Sequence, residues 1–194
     1  MGASIGSDTF RVKYATEKVS SWCEEVEKLA EFAKSQPQAA FAAFVHGEQH
    51  KFGYFMRTIP FMEEFMEPLD RIINDKLLPA ILGTTFSEEE RNMFSLPIRL
   101  GGLGIPVFND KAPEEYGNSL RLTAPLVSIM VLQGDTLPDK PEAKQIRADH
   151  QQRAKAILNQ KSLVTEEMLP EVTKRAVQHA KEKGASSWLS VLPL

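Results

Sequence analysis

The chain has 194 residues, 42% of them hydrophobic and 25% charged, with a formal net charge of −3. That length accommodates one domain, or two small ones, around a real core, and the composition is that of an ordinary soluble globular protein. The acidic balance gives no global basic signature for nucleic acid, the single cysteine, Cys23, excludes a disulfide framework or a cysteine-based zinc site within the chain, and no run of about 18 apolar residues is present to span a membrane.

The first residues, Gly2 to Ser7, are small and read as a turn or a strand end; they contain neither the charged nor the apolar region of a signal peptide. Ser7 or Asp8 can cap a helix. Ala15, Val19, Trp22, Val26, Leu29, Ala30 and Phe32-Ala33 then recur at spacings of three and four, which predicts a long amphipathic helix. Ser35-Gln-Pro37 stops it and gives the next helix a first-turn proline. That second helix is expected from about Gln38 to Arg57. Its alanines (Ala39, Ala40, Ala42, Ala43) would allow close approach, Phe41, Phe44, Val45, Phe52, Phe55 and Met56 supply bulk, and Gly47 and Gly53 are weak points. Thr58-Ile-Pro60 breaks it. A third pattern runs through Phe61, Met62, Phe65, Met66, Leu69, Ile72, Ile73 and Leu77, with Pro68 expected to kink or restart it and Pro79 and Gly83 to end it. Ser87-Glu-Glu-Glu90 reads as a capping box for a short fourth helix.

Ser95 to Pro106 differs from everything around it. Gly101, Gly102 and Gly104 fall among Ile98, Leu100, Leu103 and Ile105, and Pro97 and Pro106 close the stretch. Glycines cost about 1 kcal/mol each in a helix interior, while the aliphatic residues demand burial. The prediction is a buried non-helical crossing near residues 97–106, its glycines placed where φ is positive or another backbone passes close, with Leu100, Leu103 and Ile105 buried between two halves. Beyond it, Asn109 to Pro113 reads as a polar loop, Pro113 to Thr123 as a helix interrupted at Ala124-Pro125, and Leu126 to Leu132 as a short apolar helix. Gly134 to Pro141 is the best linker candidate, residues 142–160 a solvated helix, and Thr165-Glu-Glu-Met the cap of a last helix ending at Gly184. The apolar run 186–194 stops without cover, so a longer parent protein is expected. The fold class is therefore all-α, a multi-helix bundle with one glycine-rich crossing.

Chemistry-bearing constellations are sparse. His46 and His50 have the spacing of metal ligands with Glu48 between them, but the glutamate does not directly follow the first histidine and no third ligand is evident; a polar helix face is the preferred reading. Gly101-Gly-Leu-Gly104 lacks the spacing and the Lys-Ser/Thr pair of a phosphate loop. Cys23 beside Trp22 reads as a packed thiol. Arg11 and Lys13 flank the start of the first helix, and Lys51 and Arg57 are interleaved with Phe52, Tyr54 and Phe55. Basic residues among aromatics can follow a phosphate backbone and pack against sugars or bases; a solvated charged face is the other reading.

Several stretches in order resemble one family. Gly2-Ala-Ser-Ile-Gly-Ser7 is similar to the end of the primer-grip hairpin of reverse transcriptases from non-long-terminal-repeat retroelements. The Lys18 to Glu25 segment, Gln36-Pro-Gln-Ala-Ala40, Arg57-Thr-Ile-Pro60 and Glu67-Pro-Leu69 resemble their thumb helices. Leu96 to Ile105 resembles the glycine-rich segment after the thumb, and Thr123-Ala-Pro-Leu126 and Lys183 to Leu194 resemble the region that continues it. The resemblance implies a thumb-like helical domain at 1–94 (with 1–7 a remnant of the primer-grip hairpin), a glycine-rich crossing and post-thumb helices at 95–133, and a linker with C-terminal helices at 134–194.

The resemblance also implies that the aspartates binding Mg2+ lie in a palm preceding the chain. The chain itself would then have no catalytic residue, no cofactor and no metal. Its partners would be an RNA–DNA hybrid and the remaining regions of the same polyprotein, with no membrane, in the nucleus and cytoplasm if the parent element is active. Arg11, Lys13, Lys51 and Arg57 are the candidate nucleic-acid contacts, chosen by charge and position. An all-helical protein-interaction module, or a host-retained remnant of such an element, is the alternative.

Overall fold

The computed structural model describes residues 6–134 and 140–183. Among them are seven helices and no strand: α1 (Asp8–Ala33), α2 (37–58), α3 (63–82), α4 (Glu88–Phe94), α5 (Phe108–Val131), α6 (Lys140–Met168) and α7 (Glu171–Lys183). The chain is an all-α bundle. Of the sequence features singled out above, the first five residues, the core of the linker at 135–139, the helix stop at Gly184 and the apolar run 186–194 lie outside the described residues.

α1 begins where its cap residue allows. The Ser7 hydroxyl accepts the Phe10 amide, and Asp8 adds a negative charge to the first turn. Ala15, Val19, Trp22, Val26, Ala30 and Ala33 form its buried face, while Phe32 remains 47% exposed. α2 is continuous but contains one wide turn at Phe44–Glu48, where the Gln49 amide reaches back five residues to Phe44. The Gln49 side-chain amide donates to the carbonyl of Val45 at 2.7 Å, adding a partner beside that turn. Only one of the four alanines of α2 lies on its packed face. Ala40 is buried, but Ala39, Ala42 and Ala43 face solvent, and the contact is carried by Phe41 and Phe44 instead.

α3 corrects two expectations. Pro68 lies inside a continuous helix and does not start a second one, and Pro79 falls at the first turn after a second wide turn, Ile73–Leu77, so it does not end the helix. The helix ends at Gly83, which adopts φ 68. Met66, Leu69, Ile73, Leu77, Leu78 and Ile81 bury one continuous stripe that holds the rest against tertiary neighbours. α1 packs on both α2 and α3, and the first half of α5 lies across α2 and α3. Phe52 and Phe108 meet edge to face at 5.2 Å, and Trp22 lies 4.9 Å from Phe52, so one ring cluster ties α1, α2 and α5 together. α6 packs on α4 and α5, and Leu169 and Val177 belong to the same core as α1 to α3.

The predicted crossing exists, with one correction. Leu103 and Ile105 are buried, but Leu100 is only half-buried. Residues Ile98–Leu100 form a tight three-residue helical turn that ends at Gly101 with φ 83. The Leu103 and Ile105 amides both donate to Phe94 O at 3.2 Å, which pins the crossing onto the end of α4. Two buried charges lock it from behind. Arg91 donates to Ile105 O at 2.9 Å, to Pro106 O at 3.0 Å and to Asn74 Oδ1 at 2.5 Å. Asp70 accepts the amides of Phe108 at 2.9 Å and Asn109 at 2.8 Å. α5 therefore starts at Phe108, and the polar loop expected at 109–113 is helix. Pro125 does not interrupt α5, and Thr165 is a buried residue inside α6 rather than a cap; the chain breaks instead before α7, where the Pro170 carbonyl accepts the Lys174 amide at 2.9 Å.

Candidate nucleic-acid interface

α1 and the second half of α2 run antiparallel. Tyr14 faces Phe55 at 6.1 Å, Trp22 faces Phe52 and Phe55 at 4.9 Å, and Lys51 reaches Glu25 at 2.9 Å. The start of α1 thus lies beside the end of α2, which brings Arg11, Lys13 and Arg57 to one end of the helix pair. Lys51 lies further along, separated from them by more than a helical turn.

The four predicted contacts have different surroundings. Lys13 is exposed, with Glu17 at 3.9 Å one turn on. Arg57 is exposed at the last turn of α2. Arg11 is half-buried: Asp8 lies 3.4 Å away, its Nε has no acceptor among the described residues, and its guanidinium sits 5.5 Å over the ring of Phe61. Lys51 is held between Glu48 and Glu25, each at 2.9 Å. These bonds, Glu48 first, raise the lysine above its ordinary value, while the hydrogen bond from Lys51 holds Glu25 below the ordinary carboxylate range. Its charge is largely answered within the protein, although exposure keeps such a pair weak.

The glycine crossing is structural in its details. Gly101 and Gly104 adopt φ 83 and 72, and a β-carbon on Gly102 would meet Leu96 O at 2.0 Å. Its amides point back to carbonyls of the chain itself, with Gly101, Gly102 and Gly104 donating to Ile98, Pro97 and Leu96. His46 and His50 are both exposed on α2, the first inside the wide turn and the second just after it; among the described residues no group of three or more His, Cys, Asp or Glu is placed to hold a metal ion. Cys23 is half-buried, and burial, aided by Glu27, pushes its thiol up.

Sequence reasoning missed three residues that organise this region. Phe61 follows Pro60 in the turn between α2 and α3, has φ 61 and is 54% exposed. The sequence pattern placed it at the head of the third helix's apolar stripe, but it lies before that helix and out of the core; the signal for this was only an aromatic placed after a helix-breaking proline. Asp70 and Arg91 are 7% and 5% exposed. Asp70 was detectable as a carboxylate following Leu69 on the apolar face of α3, whereas nothing local distinguishes Arg91 from the other scattered cations. A cleft of about 300 Å³ between α5 and α6 also went unread; it is lined by Arg121, Asp149, His150 and Arg153 beside Leu122 and Ile146.

No family model matches the chain, and neither a curated protein nor a solved structure matches it significantly. Among the described residues no helix is long and apolar enough to cross a membrane.

Proposed function

We propose that the chain is the non-catalytic thumb and post-thumb region of a reverse transcriptase from a non-long-terminal-repeat retroelement, and that it holds a template–primer duplex. The observation that carries this reading is the order of resembling stretches along the sequence, from Gly2–Ser7 through Leu96–Ile105. An all-helical bundle with Arg11, Lys13 and Arg57 at one end of the α1–α2 pair is consistent with it. In this reading the chemistry and its Mg2+ ions belong to the palm of the parent enzyme. The chain contributes phosphate and sugar contacts, which fix the duplex without reading its sequence, and the A-like shape of an RNA–DNA hybrid sets what those contacts meet. The test is fluorescence anisotropy with a short RNA–DNA hybrid at several salt concentrations. Salt-sensitive, sequence-indifferent binding that weakens when Arg11, Lys13, Lys51 and Arg57 are replaced together supports the proposal. A folded protein that ignores the hybrid at low salt overturns it.

One observation favours a second reading. The far half of α5 and its cap residue Leu132 present Leu120, Leu122, Leu126, Val127, Met130, Val131 and Leu132 to solvent, the last three each at least 74% exposed. An apolar patch of this kind marks interaction surfaces and suits a protein-interaction module or a host-retained remnant. That reading expects a stable protein partner, lost on Leu126→Asp with Met130→Asp, and no hybrid affinity. A partner that survives the double substitution, or recovery of nucleic acid alone, would remove it.

A further inference from the structure

The turn between α2 and α3 holds a bulky side chain in a conformation that bulky side chains avoid. Phe61 has φ 61, the left-handed region, where a β-carbon crowds the following carbonyl oxygen. A glycine or asparagine would relieve this strain. Such outliers persist where the surrounding structure over-determines them, and they cluster at binding sites. Here the backbone strain raises a phenyl ring that remains 54% exposed instead of burying it. One face is occupied: the Arg11 guanidinium lies 5.5 Å from the ring centroid. Next to Arg11 on α1, Phe10 is 48% exposed and stacks on Tyr14 at 5.9 Å, with 23° between the ring planes. Lys13, one turn from Phe10, has a side chain 75% exposed. Two exposed rings and two cations therefore share the end of the α1–α2 pair.

We propose that Phe61, backed by Arg11, is a stacking platform for an unpaired nucleobase at the end of a nucleic-acid duplex. This rests on the reading of the chain as a duplex-holding region and specifies what one end of it binds. A ring exposed in this way offers a π-face that every base can use, so the contact is indifferent to sequence. Arg11 and Lys13 supply positive charge for the phosphates on either side of the stacked base. Arg57, at the last turn of α2, is four residues before Phe61 and contributes to the same field. A protein partner would use an exposed phenylalanine as an anchor in an apolar pocket; Arg11 over the Phe61 ring, with Lys13 and Arg57 at the same end, favours a polyanion over such a pocket.

The experiment uses the full chain and two probes: a blunt RNA–DNA hybrid, and the same hybrid carrying a short single-stranded overhang with 2-aminopurine as its first unpaired base. The overhang should bind about tenfold tighter than the blunt hybrid and its emission should be quenched on binding. Phe61→Ala should abolish both differences, whatever its effect on blunt-hybrid affinity through Arg11, while Phe61→Trp should retain them. Phe61→Gly separates stacking from folding: it relieves the strained φ, so the melting temperature should hold or rise while the overhang preference is lost. If the wild-type protein binds both probes equally, or if Phe61→Ala keeps the preference and the quenching, the platform is wrong and the duplex-holding reading stands. If the wild-type protein binds neither probe at low salt, the duplex-holding reading itself fails.

Discussion

Gly102 has no room for a β-carbon, because the Leu96 carbonyl oxygen lies 2.0 Å from where it would sit, and that oxygen is backbone that cannot step aside. Gly101 is constrained twice, by its φ of 83 and by the Val177 side chain, 2.8 Å from a β-carbon; Gly104 is constrained only by its φ of 72, with open space around it. Alanine substitutions should therefore rank in that order. Gly102→Ala should destabilise by about 3 kcal/mol or more through overpacking, and Gly104→Ala by about 1 kcal/mol from the left-handed backbone alone, with Gly101→Ala between them. Urea midpoints at constant slope measure the series, and equal losses at all three positions would contradict these separate causes. Cys23 gives a second residue-scale expectation. Its thiol is pushed up by burial and by Glu27, so less thiolate is present near neutral pH than for a free cysteine. Alkylation of the native protein should be slower than that of the urea-unfolded chain at the same pH. Equal rates would mean that the side chain is not packed on α1 as described.

Helix α5 depends on a carboxylate far away in sequence. Asp70, on α3, accepts the Phe108 and Asn109 amides, which lie 38 and 39 residues further along the chain. These are among the orphan donors that every helix start leaves unpaired. Asp70→Ala should cost about 2 kcal/mol and accelerate amide exchange at Phe108 and Asn109 ahead of the rest of α5. Burial pushes the Asp70 carboxyl above its ordinary value of 3.8, and the two amides and the charge of Arg91 draw it back only in part. With the folded value above the unfolded one, the native state keeps a proton that the unfolded chain releases between them. This contribution is fully present below the ordinary carboxylate range and is lost as pH rises through the raised value. The stability advantage of wild type over Asp70→Ala should therefore shrink as pH increases across that interval; an advantage that grows would show that the amides and Arg91 outweigh burial. The same contact explains what the sequence could and could not reveal. The capping box at Ser87 is local, and both of its hydrogen bonds form as read, at 3.3 and 2.9 Å. The crossing was legible because three glycines among aliphatic residues admit few conformations. The start of α5 was not, because its cap arrives from another helix; prolines 68, 113 and 125 misled because each lies within a continuous helix, and Pro79 because it falls in the first turn after a wide turn. The candidate interface was legible as charge alone: Lys51 and Arg57 look alike in sequence, and only the fold shows that Glu25, on a different helix, answers the first of them.

Across the whole molecule, the formal charge of −3 means that any polyanion must be drawn to a local field rather than to the protein at large. The arrangement of α1 and α2 gathers Arg11, Lys13 and Arg57 at one end, where Asp8 and Glu17 lie 3.4 and 3.9 Å from the first two, while further along Lys51 is held more closely by Glu25 and Glu48, each at 2.9 Å. Moving Lys51 onto a phosphate would require breaking two ion pairs to make one. Under the duplex-holding proposal the four cations should then contribute unequally. Each phosphate contact releases condensed counterions, so removing one true contact should lower the slope of log affinity against log salt by about one unit. Lys13→Ala and Arg57→Ala should each show that loss. Lys51→Ala should leave the slope unchanged and alter affinity by less than about twofold. Glu48→Gln with Glu25→Gln, which frees Lys51, should steepen the slope and tighten binding. The measurement is anisotropy of the blunt hybrid over a salt series for each variant. Equal slope losses for Lys13, Lys51 and Arg57 would show that the ion pairs of Lys51 give way to the duplex and that the field extends along the whole α1–α2 pair.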